Sequence, residues 1–133
     1  MQAVKELIRI DPTGQAPHPI HGLIGEWDVS KVEDFGMVFL NFKRFNADIS
    51  KWVVKNASTT TMMFSGCSDF NVDLYDWEFG DNLTYMRDMF NGCISFNRDL
   101  TLWRVRNVRD MSGLFKGCSK FNGNLSMWQT DSV

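Results

Sequence analysis

Few side chains in this 133-residue sequence are of types that do chemistry, and their spacing limits what that chemistry could be. The only two histidines, His18 and His21, stand three apart in a stretch that also holds all three prolines. Two imidazoles without a carboxylate or cysteine cluster beside them make a poor metal set, because zinc and its relatives take several convergent ligands. Cys67, Cys93 and Cys118 recur at a near-constant interval, as do Asp48, Asp73 and Asp99. A thiol nucleophile needs a His or Lys held beside it, and no base recurs in step with the cysteines. A calcium site needs several oxygens converging from one loop, and Asn124 takes the fourth place in the Asp series. Asp accepting from turn amides accounts for that series better. The expectation is therefore no enzyme, no cofactor and no metal.

What positions these residues is a repeat. Tryptophans stand at Trp27, Trp52, Trp77, Trp103 and Trp128, so the interval is 25, 25, 26 and 25 residues. Phe39, Phe64, Phe90 and Phe115 keep the same step, and so do Phe45, Phe70, Phe96 and Phe121. Asn46, Asn71, Asn97 and Asn122 follow that second phenylalanine directly, and Ile49, Leu74, Leu100 and Leu125 come three residues later. A fixed period of this size is the mark of stacked supersecondary units. The cysteine column is filled by Phe42 in the first turn, which makes it an apolar interior column. The three thiols are accordingly read as buried and free, as an odd count in a reducing compartment allows.

Length permits one domain, with 1–23 read as a capping helix and loop and 24–133 as the repeats. The apolar share of 44% is enough for a core, and the net charge of −2 does not mark the whole chain for nucleic acid or membrane. No apolar run reaches the length of a membrane span. Ala3, Val4, Leu7 and Ile8 recur at helical spacing, which predicts a helix over 2–9 stopped at Asp11-Pro12. It would cover the first turn, as repeat stacks require of their ends.

Each turn reads as two halves. After the tryptophan, apolar residues recur as Val32, Phe35, Val38 and Phe39, and again as Val108, Met111, Leu114 and Phe115, a helical stripe. Asn41, Gly66, Gly92 and Gly117 would end that helix in the left-handed region. The half from Phe45 to Trp52 is too short for a helix and predicts a brief strand, the strands aligning as a narrow parallel sheet. The Asn column predicts a ladder of side-chain amides that satisfies backbone groups at the bends. The third turn has one extra residue within 78–82, expected to bulge as a loop. In the second turn Ala57 and Thr60 stand where larger apolar residues occur elsewhere, which predicts looser packing.

The runs Trp27-Asp-Val-Ser-Lys-Val-Glu-Asp, Asp88-Met-Phe-Asn-Gly-Cys, and Asp110-Met-Ser-Gly-Leu-Phe-Lys-Gly-Cys-Ser-Lys-Phe-Asn-Gly-Asn-Leu-Ser-Met-Trp128 carry a resemblance. They resemble the BspA-like surface-protein repeat of roughly 26 residues, over about residues 24–128. That family is found in mycoplasma lipoproteins and other bacterial surface proteins, and in algal and large-DNA-virus proteins. The resemblance implies an α/β repeat solenoid of leucine-rich-repeat-like form, about four turns behind an N-terminal helical cap. It implies binding or structural roles, because the family has no common catalytic residues to carry over.

Charge suggests where a partner would bind. Residues 67–90 carry Asp69, Asp73, Asp76, Glu78, Asp81 and Asp88 against Arg87 alone. Residues 91–121 carry Arg98, Arg104, Arg106, Arg109, Lys116 and Lys120 against Asp99 and Asp110. The sign therefore changes along the stack, and the basic set is the candidate docking surface for an acidic protein. Nucleic acid is disfavoured because the aromatics are spent on the core. The sequence runs five residues past Trp128 without a fifth repeat, which predicts that the last turn docks on another protein or that the chain continues. The first ten residues mix Lys5, Glu6 and Arg9 with apolar ones, which is not a secretory pattern. Without a secretion signal the three N-x-S/T matches, at Asn56, Asn82 and Asn124, carry little weight. The expectation is an intracellular or virion-associated component of a larger assembly, such as a minor capsid-associated protein of a large virus. The alternative is an adhesin repeat domain binding host or matrix proteins.

Overall fold

Residues 2–133 are described by a computed structural model; Met1, the first residue of the predicted segment 1–23, lies outside the described residues. The helix α1 (Gln2–Ile10) forms where Val4 and Leu7 fall on one face, and both are fully buried. Asp11 ends it by drawing the chain into a tight loop: its carboxylate accepts the backbone N–H groups of Thr13, Gln15 and Ala16. A single 3₁₀ turn, Ile24–Glu26, then leads to Trp27.

The α/β repeat solenoid expected from the sequence does not form. Among the described residues there is no second α-helix and no β-sheet. Parallel pairing is confined to single-residue bridges, from Asp34 to Thr59, Thr59 to Tyr85 and Tyr85 to Asp110. The reason lies in where the backbone N–H groups go. A helix over the first apolar stripe would turn each one back to the residue four before it. Instead Phe35, Met37, Phe39 and Asn41 donate to the carbonyls of Thr59, Thr61, Met63 and Ser65, one repeat further on, at 2.7–3.0 Å. Thr60, Met62, Phe64 and Gly66 do the same to Tyr85, Arg87, Met89 and Asn91. Met86, Asp88, Phe90 and Gly92 complete the set on Asp110, Ser112, Leu114 and Lys116. The later residues between them bond back only three places, as Val38 does to Phe35 and Leu40 to Met37, while Gly36 and Thr61 donate to the side chains of Asp34 and Thr59.

Aiming every second N–H out of the turn requires left-handed residues at two places per repeat. One column is Asn41, Gly66, Gly92 and Gly117, with φ of 60, 77, 78 and 72°. The other is Met37, Met62, Asp88 and Gly113, with φ of 59, 56, 53 and 66°. Three of those four carry side chains, for which the left-handed helical region costs roughly 1–2 kcal/mol. Twelve turn-to-turn backbone bonds accompany that strain.

The predicted strands over the second half of each turn are absent too. There the N–H groups are taken by side chains. Asn46 Oδ1 accepts from Asn71 N at 2.9 Å, Asn71 Oδ1 from Asn97 N at 3.0 Å, and Asn97 Oδ1 from Asn122 N at 3.0 Å. Thr13 O serves the first member, Asn46 N. Each tryptophan from Trp52 on donates its indole N–H to a carbonyl of the preceding turn: Ile24, Ile49, Leu74 and Leu100 in order. Trp27 reaches Gly22.

Rings fill the interior. Phe39, Phe64, Phe90 and Phe115 stack face to face with centroids 5.4, 5.6 and 5.8 Å apart. Phe45, Phe70, Phe96 and Phe121 repeat this at 5.9, 5.9 and 6.0 Å. The extra residue of the third turn does not simply bulge. Phe79 turns inward, edge-on to Trp77 and Trp103, and belongs to a buried column with Val29, Val54 and Val105. The surplus falls at 80–82, where Gly80 N bonds Lys55 O. In the second turn Ala57 and Thr60 are both buried, and Thr60 Oγ1 has no hydrogen-bond partner.

Candidate docking surfaces

The chemically capable side chains are mostly occupied in holding turns together. The Sγ–H groups of Cys67, Cys93 and Cys118 donate to the carbonyls of Phe39, Phe64 and Phe90 at 2.9–3.0 Å, each one repeat back. All three are free thiols and buried. Burial pushes Cys67 up to about 12 and Cys118 up to about 11, and raises Cys93 as well. A thiol so disposed is not a nucleophile near neutral pH.

The Asp column is equally committed. Asp48, Asp73 and Asp99 accept the N–H two residues on, from Ser50, Tyr75 and Thr101, and Asn124 does the same for Ser126. Ser50 and Thr101, through hydroxyl and then amide, hold the Asp48 and Asp99 carboxyls below the usual range. Asp110 is lowered in the same way by Ser112. No group of three metal-ligating residues occurs among the described residues.

His18 has a structural part that the sequence reading missed. It is 4% exposed, and its backbone pairs with Gly22 in both directions. Its Nδ1 accepts from the N–H of Ile20 and His21, which leaves Nε2 to donate to Glu6 Oε2 at 3.0 Å. That bond, with a second from the Gln2 side chain, holds the Glu6 carboxyl down. The pair pins α1 to the proline loop, and His18 also stacks on His21 at 4.8 Å. Nothing in the spacing of Glu6 and His18 signals it.

The structure divides the candidate basic set. Arg106 and Arg104 converge on Asp81 Oδ1, at 2.8 and 3.5 Å. The Asp81 carboxyl is lowered chiefly by its bond to Arg106. Arg98 donates through Nε to Asn71 O at 2.8 Å. Arg109, Lys116 and Lys120 are exposed and make no ion pair among the described residues. The sign change along the chain is therefore partly closed within the molecule, across the third and fourth turns. Aligning the repeats with the surplus placed after Phe79 would have put Asp81 in the column of Arg106.

Leu102 and Met127, each directly before its tryptophan, are exposed apolar side chains, 62% and 71% accessible. Around the fourth turn, Met111, Phe115, Phe121, Leu125 and Trp128 are only half-buried, unlike their counterparts in the middle turns. No described helix is long and apolar enough to cross a membrane.

Two successive stretches, residues 15–82 and 79–133, match a family model described as "Mycoplasma protein of unknown function, DUF285". No curated protein matches the chain, and no solved structure does.

Proposed function

Since this chain belongs to the DUF285 family of Mycoplasma-type repeat proteins, we propose that it is a non-catalytic, protein-binding structural module of the BspA-like kind. The repeat motifs around Asp88 and Asp110 support the finer family placement. One observation carries the function. The groups that could react are held by backbone: the cysteines and the Asn column by that of a neighbouring turn, the Asp column and His18 by N–H groups two or three residues on. What faces solvent is a surface on which Arg109, Lys116 and Lys120 make no ion pair among the described residues.

Such a surface favours an acidic protein partner, with charge setting register and encounter rate more than affinity. Arg104 and Arg106 contribute less than their number suggests, because Asp81 already holds both. The test is affinity capture from the source cells with the wild-type chain and with R109E/K116E/K120E. The expected result is an acidic protein retained by the wild type and lost with the triple variant, both chains having the same circular dichroism spectrum. Identical proteins on both columns, or none on either, would overturn this reading.

A further inference from the structure

His18 is the buried one of the two imidazoles, and its seat fits only the neutral ring. Nδ1 accepts the N–H groups of Ile20 and His21, at 3.1 and 3.2 Å, and so carries no proton. Nε2 spends the ring's single proton on Glu6 Oε2 of α1, at 3.0 Å. A second proton would sit on Nδ1 and point at two donors, with no acceptor between them. The ring is also enclosed: His21 stacks on it at 4.8 Å, and Trp27 meets it nearly at right angles at 5.8 Å. Pro17 and Pro19 flank His18 and restrict the backbone on both sides. Its own N–H and C=O are paired with Gly22. The ring therefore cannot turn away unless the loop opens.

The charges around this seat pull both ways. On α1, Glu6 favours an imidazolium, and Arg9 lies close enough to Glu6 to offset part of that pull. In the loop, a protonated His21 would add a like charge across the stack. On the first turn Glu26 and Asp28 stand beside His21, while His18 itself meets only the Trp27 ring there. Exposure decides between them. The Glu6 side chain is 45% accessible, so its attraction is screened by water, whereas a buried donor aimed at other donors keeps its full penalty.

We propose that His18 is a proton-operated latch on the N-terminal cap: once protonated it leaves its seat, gives up the bond that pins α1, and lets α1 come off the repeat stack. The sign follows from the seat. The closed cap holds one proton on the ring and the open cap accepts two, so closure is complete at higher pH and is lost as pH falls through the range in which imidazoles charge. The other ties in this region do not act there. The carboxyls of Glu6 and Asp11 are both held below their ordinary range by hydrogen bonds and stay ionised. Val4 and Leu7, both fully buried, leave with α1, so opening bares apolar surface at that end of the stack. The latch is independent of the basic surface, since none of the six basic side chains takes part in it.

The experiment is amide hydrogen exchange on the full chain from about pH 7.5 to about 5.5, each rate divided by that of an unstructured chain at the same pH. Protection at Leu7, Asp11 and Gly22 should fall by at least about tenfold, with Phe64 and Phe90 the better protected throughout because the stack itself stays folded. His18→Asn offers an oxygen to the same two N–H groups but cannot take up a proton, and should abolish the decline. Glu6→Gln keeps an acceptor for Nε2 without the charge that favours an imidazolium, and should move the loss to higher pH. Protection that stays flat or rises toward acid in the wild type would overturn the proposal, as would a decline that His18→Asn retains. If the cap of His18→Asn does not close at any pH, the Glu6→Gln variant decides, and a loss moved to lower pH would overturn the latch.

Discussion

The two halves of each turn hold to their neighbours by opposite means. From Phe35 to Asn41 and at the equivalent places, the turn-to-turn bonds run from backbone to backbone, and the side chains are left to pack. From Phe45 to Trp52 they run from side chain to backbone, through the Asn amides and the tryptophan indoles. The first half can therefore vary in side chain while keeping its bonds, as Phe35, Thr60, Met86 and Met111 show in one column. The second half cannot, because its bonds are its side chains.

The sharpest way to break this contrast is Phe90→Ala. Phe90 is fully buried, with ring centroids 5.6, 4.3 and 5.8 Å from those of Phe64, Phe96 and Phe115. Large-to-small truncation at such a site should cost about 3–5 kcal/mol in chemical denaturation. Its N–H would still reach Leu114 O, so the loss would belong to packing alone. A loss under about 1 kcal/mol would mean that the backbone ladder, not the rings, holds the stack.

Glycine substitutions sharpen the first half. Gly92 has φ of 78°, and a Cβ there would meet only Gly66 Cα and N at 3.7 Å. Gly92→Ala should therefore cost only the left-handed strain, about 1–2 kcal/mol. Gly66, at φ of 77°, would set its Cβ against Asn41 Oδ1. Gly66→Ala should lose more than Gly92→Ala in the same denaturation series. The reverse order would show that Asn41 gives way freely.

For the second half the test is Asn71→Ala, which removes the acceptor of Asn97 N. Because Asn97 is exposed, water can take over, and the expected cost is the net value of one hydrogen bond, about 1 kcal/mol. Asn71→Asp keeps the accepting oxygen and should cost less than Asn71→Ala at neutral pH. Equal losses would mean that the ladder is incidental.

The same contrast explains what was legible. The Trp, Phe and Asn columns could be read from the sequence because those side chains carry the bonds and the core. The left-handed pair could be read only by half, since glycine marks Gly66, Gly92 and Gly117 but Met37, Met62 and Asp88 conceal the other column. Without that second signal, apolar spacing in the first half imitates a helix, and β-friendly residues around Ile49 imitate a strand. Both readings assumed that hydrogen bonds close within a turn or along a sheet. Of the candidate docking residues, Arg104 and Arg106 have their counter-ion one repeat away at Asp81, hidden by the surplus residue. The pinning of α1 by His18 and Glu6 depends on a loop path that no pattern encodes.

Acid gives the smallest effect and tests the bends directly. The carboxylates of Asp48, Asp99 and Asp110 accept a hydroxyl and an amide each, and all three are held below their ordinary value. A lowered folded-state value means that the unfolded chain binds more protons in acid, so stability rises with pH there. The contribution is complete above the unfolded carboxyl value of about 3.9 and is lost as pH falls through the folded one. The part of the urea midpoint that these three carry should thus be flat from about pH 7 to 5 and fall below about 4. Asn124 already makes the same bend without a charge, so Asp48→Asn with Asp99→Asn should keep the fold at neutral pH and flatten part of the acid decline. If the double variant declines as steeply as the wild type, the acid sensitivity lies elsewhere, with Glu6 beside His18 the next carboxylate to remove.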